Sequence, residues 1–134
     1  MSLLVDTSVW SLALRRDLPH DAPEVSELTR ALRGTDIVVT TGLILQEILQ
    51  GFVPDRARTQ IVERFANMPL VEPDRDDYIG AAELRNTCRK VGIQLGTVDA
   101  LVARLAIHHN HRLLTTDQDF VHAAPHIGLA IWKP

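Results

Sequence analysis

Three short aliphatic runs punctuate the chain without alternating with polar residues: Leu3-Leu4-Val5, Ile37-Val38-Val39 and Arg112-Leu113-Leu114-Thr115. A strand with one wet face alternates apolar and polar residues, whereas a strand covered on both faces reads as a continuous apolar run. These runs therefore predict strands buried in a parallel sheet, which requires helices on both sides. Two weaker runs, Met68-Pro69-Leu70-Val71 and Leu129-Ala130-Ile131, are candidates for further strands.

Helical patterns fill the gaps. They run over Ser8 to Arg15, Pro23 to Leu32, Gly42 to Gly51, Asp55 to Ala66, Asp74 to Val91 and Thr97 to His109. Pro23 suits a first helical turn, and Gly92 suits a helix end. The segment from Thr97 is apolar nearly all round, with Arg104 its only basic break, which predicts a central helix. Alternation of strand and helix predicts an α/β fold. At 134 residues, the chain is of one-domain length and can bury roughly two-thirds of its unfolded surface. Aromatic residues are only 4% of it, so the core must be aliphatic.

Charge excludes some functions. Asp and Glu exceed Lys and Arg by three, for a net charge of −3. That balance argues against nucleic-acid binding through overall charge alone. The single cysteine, Cys88, forms neither an internal disulfide nor a thiolate cage, which suits a reducing cytoplasm. The N-terminal apolar run is too short for a signal peptide, and no stretch is long enough to span a membrane.

The acids are distributed more tellingly than their sum. Asp6 directly follows the first run, and Asp117 follows the third. Both are expected at carboxyl ends of strands, the edge at which open α/β sheets bind ligands. Glu47 lies in the helix beyond the second run, and Asp99 in the first turn of the apolar helix. Each has a purely structural explanation. Asp6 and Asp99 suit helix starts, and Glu47 suits a solvent-facing strip. Thr116 with Asp119 three residues on resembles a capping box. Four such acids at strand or helix starts nonetheless form a candidate cluster. Clustered carboxylates resist simultaneous ionisation unless a cation joins them. All-oxygen ligands select Mg²⁺ or Mn²⁺, ions that serve phosphodiester hydrolysis by water.

The same residues carry a resemblance. Leu3-Leu4-Val5-Asp6-Thr7-Ser8-Val9-Trp10, Leu45-Gln46-Glu47-Ile48, Gly96-Thr97-Val98-Asp99-Ala100-Leu101-Val102-Ala103 and Leu114-Thr115-Thr116-Asp117-Gln118-Asp119-Phe120 resemble, in order, the motifs of the PIN domain. The likeness is greatest to VapC-type ribonuclease toxins, and it covers essentially the whole chain. It implies one PIN domain over residues 1–134, a three-layer α/β sandwich with a short central parallel sheet flanked by helices. It also implies a Mg²⁺- or Mn²⁺-dependent endoribonuclease. Asp6, Glu47 and Asp99 match the family's metal-binding acids, Asp117 the fourth acid, and Asp119 a further one near a second metal. Thr7 and Ser8 match the small hydroxyl residues that follow the first Asp, and Thr116 stands as support beside Asp117. The resemblance further implies a homodimer, a cytoplasmic location, and inhibition by a VapB-type antitoxin whose C-terminal segment wraps the toxin near its site.

Other features have competing explanations. His108, His109 and His111 suit a helix C-terminus, where they favour the dipole and cap carbonyls, better than a metal site. His20, His122 and His126 read as loop residues. Arg85, Arg89 and Lys90 on one helix, with Arg15 and Arg16 elsewhere, suit RNA backbone, an acidic antitoxin segment or a solvated face. Phe52, Phe65 and Phe120 are too scattered to form a stacking platform. Trp10, Leu12 and Leu14 with Val25, Leu28 and Leu32 would be core, or a groove for a partner helix. The alternative to an enzyme is a non-catalytic RNA- or protein-binding module that uses the acids as caps. A phosphatase with a nucleophilic Asp is disfavoured, because Thr7 and Ser8 follow Asp6 where an Asp-x-Asp pair is expected.

Overall fold

The computed structural model describes residues 2–14, 22–51 and 54–134. Arg15, Arg16, His20 and Phe52 lie outside the described residues. The elements in order are β1 (Ser2–Val5), α1 (Thr7–Ala13), α2 (Pro23–Arg33), β2 (Ile37–Val39), α3 (Gly42–Gln50), α4 (Asp55–Ala66), α5 (Arg75–Lys90), α6 (Thr97–His108), β3 (Arg112–Leu114) and α7 (Gln118–Ile127).

The strands form a parallel sheet in the order β2-β1-β3. Leu3 pairs with Val38 on one side, and Leu4 with Leu113 on the other. Leu3, Leu4 and Val5 are all 0% exposed. Successive strand residues point to opposite faces, so both faces of the central strand are covered. Helix α1 packs with α2 and α3, while α5 packs with α6 and α7 and α6 contacts β3. The result is the expected three-layer α/β arrangement.

Two predicted strands shrink to single bridges, Thr40 with Leu70 and Leu113 with Ile131. Pro69 lacks an amide to extend the first pairing, and Leu70 is half-exposed at that edge. The capping pattern at Thr116 signals a helix start without its extent; the helix there is α7, which carries His122 and His126, so neither is a loop residue. Pro125 within it and Gly128 at its end disguise a helical face built on buried Phe120 and Ala123. Trp10 and Leu28 are core, while Leu14 and Leu32 remain exposed. Cys88 is buried in α5, and burial pushes its thiol pKa up.

Helix ends follow local chemistry. Gly92 and Asn110 take the left-handed conformation after α5 and α6. In each case the next amide bonds back to the helix, Ile93 N–H to the Cys88 carbonyl and His111 N–H to the Ala106 carbonyl, both at 2.9 Å. This is the Schellman arrangement.

Helices α5 and α6 are joined by Asp77, which is 1% exposed. Asp77 and the N-cap Asp74 each accept the other's backbone N–H, completing a capping box. Asp77 Oδ1 accepts from Arg104 Nε at 3.0 Å and meets His108 Nδ1 at 2.7 Å. An ionised carboxylate only accepts, so Nδ1 carries the proton. His108 therefore bonds a carboxylate rather than capping carbonyls, and His111 Nδ1 pairs with the Ser2 hydroxyl. Arg104 crosses Gly80, where a Cβ would lie 2.8 Å from the guanidinium.

Burial raises the Asp77 pKa, but the Asp74 amide, Arg104 and His108 outweigh it and hold the carboxyl at about 2. A folded-state pKa below the unfolded value stabilises above the unfolded pKa, and that contribution is lost as pH falls through the folded one. Wild-type stability in urea should therefore fall between about pH 4 and pH 2. Asp77→Asn should flatten that fall and cost about 2 kcal/mol at neutral pH.

Candidate active site

The carboxyl end of β1 sets the geometry. The Asp6 N–H continues the ladder to the Leu114 carbonyl at 2.9 Å, and Asp6 is then the N-cap of α1. The residue is 5% exposed. Oδ2 accepts from the Ser8 hydroxyl at 2.7 Å, the Thr115 hydroxyl at 2.9 Å and the Ser8 amide at 3.4 Å. Oδ1 takes no hydrogen bond among the described residues.

The hydroxyls pass this order along. Ser8 Oγ accepts the Thr116 amide at 3.1 Å, and Thr115 Oγ1 accepts the Asp117 amide at 3.0 Å. Thr7 donates to Glu47 Oε1 at 2.9 Å, tying α1 to α3. Asp117, not Thr116, is the N-cap of α7, accepting the Asp119 amide at 2.9 Å. The capping box expected from Thr116 and Asp119 is thus replaced. The Thr116 amide is held by Ser8 instead, and Asp119 is exposed in the first turn.

Asp99 is partly buried in the first turn of α6, whose N-cap is Gly96. It makes no capping bond, so the capping explanation fails for it. Burial first, then repulsion from Asp6, Asp117, Glu47 and Asp119, pushes its pKa up to about 6. Asp99 therefore lies within electrostatic reach of the other four acids. No three of them approach as closely as Asp77, His108 and His109, whose ligand atoms lie within 4.8 Å of one another. In that second group, however, Arg104 and His108 already occupy Asp77 Oδ1. A guanidinium on the same oxygen opposes a metal ion there.

The sequence reading misses Thr115. It is 4% exposed and links Asp6 to Asp117. Its signal is a hydroxyl at the last position of an otherwise aliphatic strand run, beside the expected acid.

A small α/β chain with carboxylates gathered at the carboxyl end of its central parallel strand is the class so far defined. The family model for the PIN domain matches residues 3–125, and the chain belongs to that family. It is similar to a VapC ribonuclease of Mycobacterium bovis and to ribonuclease VapC11 of Mycobacterium tuberculosis. Each is 29% identical over 120 residues, covering 88% of both chains. Among solved structures it resembles VapBC2 of Rickettsia felis bound to a promoter DNA fragment, with TM-score 0.75, 18% identity and coverage of 99% of this chain and 100% of that one. It also resembles VapC20 of Mycobacterium tuberculosis, described as a sarcin–ricin loop cleaving toxin, with TM-score 0.71, 19% identity and coverage of 98% and 99%.

A carboxylate whose folded-state pKa is raised destabilises the ionised fold. Its stabilising contribution is present at low pH and lost as pH rises through about 6. Asp99→Asn should therefore stabilise the metal-free protein at neutral pH by roughly 1–2 kcal/mol, after allowance for its partial exposure. Thermal melts of the wild type and Asp99→Asn at about pH 5 and pH 7 check this, the difference being larger at pH 7.

Proposed function

We propose that this protein is a Mg²⁺- or Mn²⁺-dependent endoribonuclease, the toxin of a toxin–antitoxin pair, comprising one PIN domain over residues 1–134. The observation that carries the reading is the repulsion that Asp6, Asp117 and Glu47, acids from three other segments, exert on Asp99. The ribonuclease names of its relatives support RNA as the substrate.

The donor set fits a hard divalent cation. All the candidate ligands are carboxylates, Asp6 Oδ1 takes no hydrogen bond among the described residues, and the Asp99 charge is poorly compensated by its surroundings. Asp6, Glu47 and Asp99 would hold the principal ion, and Asp117 with Asp119 would hold a second ion or orient the attacking water. Such an ion supplies water activation and stabilisation of the leaving oxygen at the phosphodiester.

The remaining roles belong to the chain. Thr7 holds Glu47 toward the site. Ser8 and Thr115 hold Asp6 Oδ2, and Thr115 also fixes the turn that carries Asp117. The Ser8 hydroxyl donates to Asp6 and accepts from the Thr116 amide, so it is a positioning group and not a nucleophile. Cys88 is buried in the core. The reading accordingly assigns the nucleophile to water.

A non-catalytic module would use these acids only as caps. Asp6 and Asp117 do cap helices, but Glu47 and Asp99 cap nothing. The VapBC assemblies among the structural relatives support a VapB-type antitoxin as partner, and the family resemblance supports a homodimer.

Asp6→Asn and Asp99→Asn should keep the wild-type circular-dichroism spectrum and lose Mg²⁺-dependent cleavage of RNA by at least about a hundredfold. Calorimetry should show loss of Mn²⁺ uptake in the same variants. Undiminished cleavage by either purified variant would refute the assignment.

A further inference from the structure

A basic pocket adjoins the acid cluster. Between α5 and the segment leading into α6 lies a cavity of about 320 Å³, lined by Arg85, Arg89, Ile93, Gln94, Leu95 and Gly96. Gly96 is the wall it shares with the acids, since a Cβ there would lie 3.8 Å from Asp99 Oδ2. Arg85 and Arg89 stand one turn apart on α5, a spacing at which like charges repel. Neither meets a carboxylate among the described residues. Arg85 Nε donates to the Leu95 carbonyl at 3.0 Å, which anchors its guanidinium to the pocket wall. Arg89 makes no hydrogen bond within the described fold.

We propose that this pocket binds a phosphodiester of the RNA flanking the one that is cut. The inference rests on the nuclease reading of the acids. An ion held by the acids would offset their repulsion only at the phosphate it binds, and a protein of net charge −3 offers no general attraction for the phosphates on either side. Cations beside the acids would supply that attraction. Two guanidiniums converging on one cavity match phosphate oxygens, which they bind in a fork geometry. An acidic protein segment would meet the same repulsion from Asp99 without gaining cleavage from it.

Arg89→Gln is the decisive variant, because no hydrogen bond of the fold depends on Arg89. Binding of the full chain to a short fluorescein-labelled oligouridylate is followed by anisotropy across a salt series, with Ca²⁺ replacing Mg²⁺. Arg89→Gln should raise Kd about fivefold and reduce the slope of log K against log salt by about 0.7. Arg89→Lys should restore the slope and only part of the affinity, since a point charge replaces the fork. Mn²⁺ uptake by calorimetry should match the wild type in both. Unchanged Kd and slope in Arg89→Gln and in Arg85→Gln would overturn the proposal. So would loss of binding to a polyglutamate peptide with RNA binding retained, which would give the pocket to a protein partner. A wild type that takes up no Mn²⁺ and cuts no RNA refutes the nuclease reading instead, and the arginine effect on RNA binding is still read in the same titrations. Absence of wild-type RNA binding refutes the pocket.

Discussion

Asp6 is the constraint on which the rest of this sheet edge depends. A carboxylate on a residue only 5% exposed is costly to hold unless donors replace its water. Here they come from both sides of the chain crossing: Ser8 from the helix that follows β1, and Thr115 from the end of β3. Because β1 lies between the other two strands, the chains leaving both neighbours meet at its carboxyl end. Ser8 and Thr115 then accept the amides of Thr116 and Asp117. The turn into α7 is thus organised by a residue more than a hundred positions earlier, and loss of either hydroxyl would affect strand end, helix start and acid placement together.

This hub explains which features could be read from sequence. The strands were legible because burial on both faces leaves aliphatic runs without alternation, and the acids because they stand just beyond them. Helix α6 was legible because its buried positions extend around most of its circumference. The short bridges at Leu70 and Ile131 were over-read, since apolar residues at a sheet edge look like strand whether or not their amides pair. Helix α7 was obscured by Pro125 and Gly128. The cap moved from Thr116 to Asp117 because Ser8 claims the Thr116 amide, and a contact between residues 108 positions apart leaves no local trace. The bonds that join Asp77 to Arg104 and His108, 27 and 31 positions away, are likewise non-local and leave no sequence signal.

Asp77 and Asp99 show how one residue type is put to opposite uses. Both sit in the first turn of a helix, and the two helices pack together. Asp77 is nearly inaccessible yet strongly ionised, because an amide, a guanidinium and an imidazole face it. Asp99 is more accessible but resists ionisation, because apolar neighbours and other acids surround it. Burial alone therefore does not decide the charge state; the presence of donors does. The fold satisfies the first carboxylate internally and leaves the second in deficit, at the edge where a ligand can approach.

That contrast also changes the meaning of the net charge. Four of the acids account for more than the whole excess, since removing Asp6, Glu47, Asp99 and Asp117 from −3 leaves +1. The negative field is consequently local, and the positive one is local too, at Arg85 and Arg89. The two meet at Gly96, a position with no side chain to separate them. A sum over the chain reports near-neutrality, while an approaching phosphodiester meets a sharp gradient between cation and carboxylate. Such a gradient orients a charged ligand within the site even where the protein as a whole exerts little pull on it.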